Sequence, residues 1–195
     1  GGSDRRCGAG EGAEGGGVTL AINVQHSAES AAWYTPGDIV ERARAAIGGY
    51  FDFDPASDDI ANTVVQARQY ATEHDGLGGF GHSWRGCIWL NPPTPPREWW
   101  ERLMRDVLTG DVCRAVFVAY SLEQLSQSQL WSEKSGLPHM LDFPVCIPRR
   151  RVAYLRGVDG KLVKGAAPPH ASAIVGVGIA RSHFAREFSS LGVVL

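Results

Sequence analysis

The chain has 195 residues, four cysteines and a formal net charge of −2. This length suits a single domain with a modest core. The charge excludes strong nonspecific attraction of the whole chain to nucleic acid. No apolar run approaches the length of a membrane span, so we predict one cytoplasmic domain over residues 31–195 without membrane contact.

The chain begins with GGSDRRCGAGEGAEGGG, a stretch without apolar periodicity. Such a segment cannot bury enough surface to offset the entropy lost on ordering. It also lacks the apolar core of a secretory signal. We therefore predict a disordered or extended tail over residues 1–30.

The stretch WYTPGDIVERARAAIGGY (33–50) predicts a helix. Thr35 is a suitable cap, and Pro36 suits the first helical turn. The glycine pair at 48–49 ends the helix. Its apolar residues recur on one face: Ile39, Ala43, Ala46 and Ile47.

A short strand within YFDFDPAS (50–57), ending at Asp54-Pro55, and a helix over DDIANTVVQARQYA (58–71) come next. After a glycine-rich loop, the run RGCIWL (85–90) is typical of a strand buried on both faces. Three further elements are predicted, a helix over REWWERLMRDVLT (97–109), a strand over CRAVFVAY (113–120) and a helix over SLEQLSQSQLWSEK (121–134).

Beyond residue 135 the patterns favour strands over FPVCI (143–147), RVAYL (151–155) and SAIVGVGI (172–179), with a turn at GVDG (157–160). Strands and helices alternate before this point. The whole pattern predicts an α/β fold, with a mainly parallel sheet flanked by helices and an antiparallel C-terminal edge.

The cysteines are not paired at metal-ligand spacing, and the six histidines are scattered. We predict no metal site. Three of the cysteines, Cys87, Cys113 and Cys146, lie in apolar runs, whereas Cys7 lies in the predicted tail. Buried free thiols in a reducing compartment are the expected state.

The run IWLNPPTPP (88–96) places Asn91 at the end of a predicted strand, where parallel sheets bind ligands. The residue before a proline avoids the helical conformation, and Pro92 and Pro93 remove two N–H donors. The expected result is a rigid corner that presents the Asn91 side-chain oxygen and the Pro92 carbonyl as acceptors. It suits a ligand that donates hydrogen bonds, such as an exocyclic amine, although Asn-Pro also begins ordinary loops.

Several segments in order resemble the amino-group DNA methyltransferases, most of all the short phage-type N6-adenine methyltransferases. The resemblance covers roughly residues 31–180. It is carried by WYTP (33–36), FDFDPAS (51–57), DGL (75–77) with a Trp after it, and IWLNPP (88–93), and further on by VFVAYSLEQL (116–125) and the segments RRRVAYL and ASAIVGVG.

The resemblance implies a Rossmann-like fold that uses S-adenosylmethionine (AdoMet) to methylate double-stranded DNA in a phage or restriction-modification setting. The implied catalytic residues are Asn91, Pro92, Pro93 and Thr94. The implied cofactor-binding residues are Thr35, Pro36, Asp54, Pro55, Ala56, Ser57 and Asp75. Helix capping and a tight turn at Asp75 explain some of the same residues structurally.

In the implied reaction the target adenine leaves the base stack. Asn91 and Pro92 then accept the two N–H groups of its N6 amine and aim the nitrogen lone pair at the methyl group. In the family, the fourth position of the motif carries Tyr or Phe, whose ring stacks on the base. Here it is Thr94, and stacking is worth about 1–3 kcal/mol. The nearby rings are those of Trp33, Tyr34, Trp89, Trp99 and Trp100.

Thr94 leaves three interpretations open. The protein is an adenine N6-methyltransferase with a displaced stacking ring, a cytosine N4-methyltransferase, or a DNA-binding protein that keeps the fold without catalysis. An unrelated nucleotide-binding enzyme is disfavoured because no phosphate loop of the P-loop kind is present. Asp58 and Asp59 are candidates for the acid that holds the cofactor's ribose, and helix capping explains them equally well.

The stretch PRRRVAYLRG concentrates positive charge, because Arg149, Arg150, Arg151 and Arg156 lie close together. Lys161 and Lys164 follow shortly afterwards. Two interpretations remain open at the level of sequence. The segment is either a solvated edge strand protected by its charges or a patch that contacts phosphates.

Overall fold

The computed structural model describes residues 33–75, 78–158, 161–165 and 170–195. The predicted tail over residues 1–30, with Cys7, lies outside the described residues, as does part of the predicted turn at 157–160.

The described residues form five α-helices, nine strands and two short 3₁₀ turns. The helices are α1 (Gly37–Ile47), α2 (Asp59–Val65), α3 (Arg97–Thr109), α4 (Glu123–Ser135) and α5 (Arg181–Phe188). The strands are β1 (Phe53–Asp54), β2 (Gln69–Tyr70), β3 (Gly86–Leu90), β4 (Val112–Ala119), β5 (Val145–Pro148), β6 (Leu155–Val158), β7 (Lys161–Lys164), β8 (Ala173–Val177) and β9 (Gly192–Val194). The 3₁₀ turns are Gly78–Gly81 and Met140–Asp142.

Seven strands form one mixed sheet in the order β2-β1-β3-β4-β8-β5-β9. The pairs from β2 to β4 are parallel. The pairs from β4 to β9 are all antiparallel. The predicted α/β class is therefore confirmed, but the sheet is more evenly mixed than predicted, because its antiparallel part is as wide as its parallel part.

Helices cover both faces of the sheet, as expected for strands that read as continuous apolar runs. On one face, α1, α2 and α5 pack against alternate strand residues such as Trp89 and Val116. On the other face, α3 and α4 pack against the residues between them, such as Leu90 and Phe117. The sheet therefore separates two apolar cores.

The predicted apolar face of α1 is confirmed, and Gly48 ends the helix in a left-handed conformation with φ 111°. The predicted cap at Thr35 is wrong, because the N-cap is Pro36 and no side chain bonds the free amides there. The hydroxyl oxygen of Thr35 is instead buried without a partner among the described residues.

The second predicted helix is too long. Gln66 adopts a left-handed conformation with φ 50°, and α2 ends at Val65. The chain then turns back, and Gln69–Tyr70 pairs with β1 as the outermost parallel strand. The apolar periodicity over 58–71 hides this break, because Ala67 and Ala71, on either side of β2, are buried as they would be on a helix face.

The predicted strand over RVAYL (151–155) is wrong for most of its length. Only Leu155 is in a strand, and β6 pairs with β7 in a separate two-stranded hairpin outside the main sheet. A single bridge between Tyr34 and Leu155 ties this hairpin to the segment before α1. The C-terminal strand β9, which the sequence did not predict, occupies the sheet edge instead.

The three described cysteines are free, and they differ in exposure. Cys146 is buried and Cys87 is partly buried, whereas Cys113 is exposed, contrary to expectation. The helices described here include none long and apolar enough to cross a bilayer.

Candidate functional site

A cleft of about 1480 Å³ opens at the C-terminal ends of β1, β3 and β4. Strand ends of parallel sheets meet at one edge, which is why residues far apart in sequence converge there. The volume exceeds the roughly 300–1,000 Å³ that a single small-molecule site typically occupies. The cleft therefore has room for two ligands side by side.

The cleft brings together most of the residues that the sequence assigned to function. Its walls include Thr35, Asp54, Pro55, Ala56, Ser57, Asn91, Pro92, Pro93 and Thr94. Two predicted residues are not among its lining residues. Pro36 faces a neighbouring concavity, and the Asp75 carboxylate accepts a hydrogen bond from the Thr72 amide at 2.6 Å, as a turn former would.

Asn91 lies directly after β3, and its side chain has a fixed orientation. Its Nδ2 donates a hydrogen bond to the Trp33 carbonyl at 2.9 Å. This bond occupies the donor end of the amide and leaves Oδ1 without a hydrogen bond from any described residue. Pro92, buried beside it, likewise has a carbonyl that accepts no bond from the described part of the chain. The corner therefore presents two acceptors, as the prolines predict.

Asp54 lies at the end of β1 and forms the acidic part of the cleft. Its side chain is only 1% exposed, and the Ala56 amide donates to it at 3.2 Å. Burial raises its pKa to about 7, although hydrogen bonds from Ser57 and Ala56 lower it in part and the nearby Asp58 charge adds to the rise. No described cation pairs with this carboxylate, so a ligand that carries positive charge would stabilise its ionised form.

Asp58 and Asp59 also line the cleft, but each has a structural task. Asp58 caps α2 by accepting from the Ala61 amide at 2.7 Å. Its other oxygen accepts from the Tyr34 hydroxyl at 2.7 Å. Asp59 accepts from the Tyr70 hydroxyl at 2.7 Å. The capping interpretation of Asp58 is thus confirmed.

A turn across from β1 closes one wall of the cleft. Gly79 in the 3₁₀ turn Gly78–Gly81 packs so tightly on Pro55 that a Cβ would overlap the Pro55 carbonyl. The Gly79 carbonyl also accepts a bond from the indole N–H of buried Trp84 at 2.8 Å. Only glycine fits this contact, which anchors the wall to the Asp54 loop.

The aromatic residues proposed to replace a ring at Thr94 differ in availability. The side chains of Trp89 and Trp100 are buried, and the Tyr34 hydroxyl is bonded to Asp58. The Trp99 ring packs on Phe80, with centroids 4.3 Å apart. Trp33 is 41% exposed and lines the cleft.

Sequence reasoning missed Tyr120, which also lines the cleft and is 38% exposed. In the parallel pairing of β3 with β4, Leu90 lies beside Phe117. Tyr120 directly follows β4, so it leaves the sheet at the same edge as the acceptor corner. The signal was present in the sequence, because Tyr120 directly follows a buried run that ends at the same edge of the sheet.

Within the ranges described above, no three His, Cys, Asp or Glu side chains converge as they would to hold a metal ion. Comparison with models of protein families found no match, and comparisons with curated proteins and with solved structures found none either.

Proposed function

We propose that this protein is an AdoMet-dependent DNA methyltransferase that modifies the exocyclic N6 amine of adenine. The observation that carries the proposal is the pairing, in one cleft, of a two-acceptor corner with a buried carboxylate that has no cationic partner among the described residues. The fold would be the Rossmann-like methyltransferase version of the α/β class.

The residues at the Asp54 end fit the proposed cofactor. AdoMet carries an ammonium group, for which the Asp54 carboxylate is a suitable partner, and it has no phosphate, so a phosphate loop is not required. The Thr35 hydroxyl is buried in the cleft wall without a partner among the described residues, and it would bond a polar group of the cofactor. The small side chains of Ala56 and Ser57 leave room for close approach.

When bound, AdoMet supplies an electrophilic methyl group on sulfur. Asn91 Oδ1 and the Pro92 carbonyl accept the two N–H groups of the target amine and stabilise the positive charge that develops on its nitrogen. The methyl carbon would bond to the amine nitrogen as its bond to sulfur breaks, and the proton then lost from nitrogen would pass to solvent water. The Trp33 carbonyl holds Asn91 in the orientation that keeps its oxygen toward the amine.

Thr94 is exposed and offers no π-face to the base. In this proposal the Tyr120 ring takes the stacking role, because it is exposed in the cleft just after β4, the strand that pairs with β3. The Trp33 ring, also exposed in the cleft, is the alternative stacking partner.

The direct test is incubation of the native protein with labelled AdoMet and mixed-sequence duplex DNA, followed by digestion to nucleosides. Label in N6-methyldeoxyadenosine supports the proposal. Label in N4-methyldeoxycytidine supports the second candidate, since cytosine N4 presents the same two N–H donors to the corner. Absence of transfer at high enzyme concentration removes catalysis from the proposal.

Variants separate the two ends of the cleft. Asp54→Ala should abolish AdoMet binding in calorimetry, whereas Asp111→Ala, a carboxylate exposed at the opposite edge of the sheet, should not. Asn91→Ala should keep AdoMet binding and slow transfer about a hundredfold or more, the scale seen when one group that stabilises developing charge is removed. Equal loss of both properties in both variants would contradict this division.

A further inference from the structure

A second, smaller concavity of about 440 Å³ lies beside the cleft, and arginines dominate its walls. We call it the arginine groove, defined by Arg42, Arg149, Arg150 and Arg151. The one carboxylate in its lining is Asp38. The groove is thus strongly positive, in a chain whose net charge is −2.

The groove opens on the same edge of the sheet as the cleft. Strands β4 and β5 both pair antiparallel with β8, so β5 runs in the direction of β4. Strand β5 ends at Pro148, so Arg149–Arg151 lie at the edge of the sheet where Asn91 follows β3. The segment before α1 borders both sites, because Thr35 lines the cleft and Pro36 lines the groove.

The distance between the two sites suits a nucleic acid duplex. Three strand spacings separate β3 from β5 in the sheet order, or about 14 Å at roughly 4.8 Å per spacing. That span corresponds to about four base-pair steps at a rise of about 3.4 Å. A duplex whose axis runs along the strand order, with its target base in the cleft, would pass over the groove within half a helical turn.

The arginines of the groove differ in how firmly they are held. Arg42 donates to the Glu187 carbonyl and to the Ser190 hydroxyl, each at 2.7 Å. Arg149 donates to the Ser189 carbonyl at 3.3 Å. Arg150 and Arg151 are exposed, and neither forms an ion pair or hydrogen bond with a described residue. Two guanidinium groups are therefore available, beside two that are fixed in place.

Like charges placed together repel, so such a cluster is stabilised by an anion that neutralises it. Guanidinium forks match the geometry of phosphate oxygens and bind them with paired hydrogen bonds. We propose that the arginine groove binds backbone phosphates of duplex DNA on one side of the target base. This inference rests on the proposed function for the identity of the polymer, and it adds a positioning surface outside the cleft.

The test is duplex binding as a function of salt, with the full chain and a fluorescein-labelled duplex of about 30 base pairs, roughly three helical turns. Fluorescence anisotropy is recorded between about 50 and 200 mM salt. For the double variant Arg150→Gln, Arg151→Gln we expect weaker binding for all duplex sequences. The slope of log affinity against log salt should fall in magnitude by about 0.9 for each phosphate that the variant no longer neutralises, thus by about 1–2.

The matched control is Arg85→Gln, Arg181→Gln, which removes the same charge from two exposed side chains at the opposite edge of the sheet. It should leave the slope unchanged. Equal slopes for the two double variants would overturn the proposal. It would also be overturned if the native protein bound anionic phosphatidylserine vesicles through Arg150 and Arg151 but bound no duplex.

The outcome is separable from that of the proposed function, because duplex binding needs neither AdoMet nor transfer. If the native protein transfers no methyl group and the groove variant loses salt-dependent duplex binding, the groove is supported and the proposed enzymatic activity is refuted. If the groove variant transfers methyl groups and binds DNA with native affinity, the enzymatic activity is supported and the phosphate-binding role of the groove is refuted.

Discussion

Among single residues, Asp54 is a buried carboxyl group whose titration makes the stability of the fold depend on pH. Burial raises its pKa from 3.8 to about 7, so the folded state holds a proton that the unfolded state releases over that range. Its contribution to stability is fully present below pH 3.8, is lost as pH rises through about 7, and is constant above that. Stability should therefore fall between these values by a few kcal/mol from this residue.

Asp54→Asn removes the titration and should flatten this part of the stability profile. Urea denaturation at pH 5 and pH 8 measures the effect. Asp111→Asn, which changes an exposed carboxylate, should keep the native profile. An Asp54→Asn variant with the same loss of stability between these two pH values would show that the carboxyl group is not the cause.

Tyr120 carries the second prediction at this scale. If its ring stacks on the extruded base, Tyr120→Ala should weaken DNA binding about tenfold to a hundredfold, whereas Tyr120→Phe should keep nearly native affinity. Tyr50→Ala provides the control, because that ring is also exposed, at 43%, but precedes β1 at the far edge. Anisotropy with a duplex is the readout, and weaker binding in the Phe variant as well would point to the hydroxyl instead of the ring.

Among the elements, the 3₁₀ turn Gly78–Gly81 keeps its position only because Gly79 has no side chain. Gly79→Ala would push this turn away from Pro55 and strain the hydrogen bond from Trp84, so we expect a loss of more than about 1 kcal/mol of stability together with weaker AdoMet binding. Thermal denaturation and calorimetry measure the two effects.

Gly37→Ala is the matched control for Gly79→Ala. Its Cβ would meet Val64 at an ordinary 3.7 Å, in the first residue of α1. An Ala at this first helical position should change stability by less than about 0.5 kcal/mol. A Gly79→Ala variant as stable as Gly37→Ala would contradict the tight packing on Pro55.

The elements also show what sequence patterns can and cannot predict. The helix α1, the strand β3 and the acceptor corner after it were predictable, since each combines a long apolar pattern with a clear Gly or Pro boundary. The break at Gln66 was not, because a left-handed residue other than glycine leaves no local mark. Helix α5 was not predicted, although the four-residue spacing of Phe184 and Phe188 is a helical signal. Their buried rings stack with centroids 4.5 Å apart.

The cleft was predictable in its residues but not in its hydrogen bonds. Motif order placed Asp54 and Asn91 at the ends of strands, and parallel pairing explains why they meet. The bond from Asn91 to the Trp33 carbonyl depends on how the segment before α1 crosses the sheet edge, which no local pattern encodes. The same holds for the arginine groove, which depends on the direction of β5.

At the scale of the molecule, the mixed sheet contributes side chains to both cores, and we expect the two cores to unfold as one cooperative unit. Phe117 packs into one core and its neighbour Val116 into the other. We expect Phe117→Ala to cost about 3–5 kcal/mol, and far-UV circular dichroism and tryptophan fluorescence to report one common transition. Exposed Val193→Ala should cost less than about 0.5 kcal/mol. Separate transitions by the two probes would mean that the faces unfold independently.

The hydrogen bond between Asn91 and Trp33 has a consequence for mutational scans. The acceptor is the backbone carbonyl of Trp33, so a substitution of the Trp33 side chain leaves the hydrogen bond in place. A mutational scan at position 33 would therefore measure only the effect of losing the indole ring. The orientation of the Asn91 amide therefore depends on the path of the backbone before α1. Inserting or deleting one residue before α1 would displace the Trp33 carbonyl and release the Asn91 amide, although every side chain of the corner would remain.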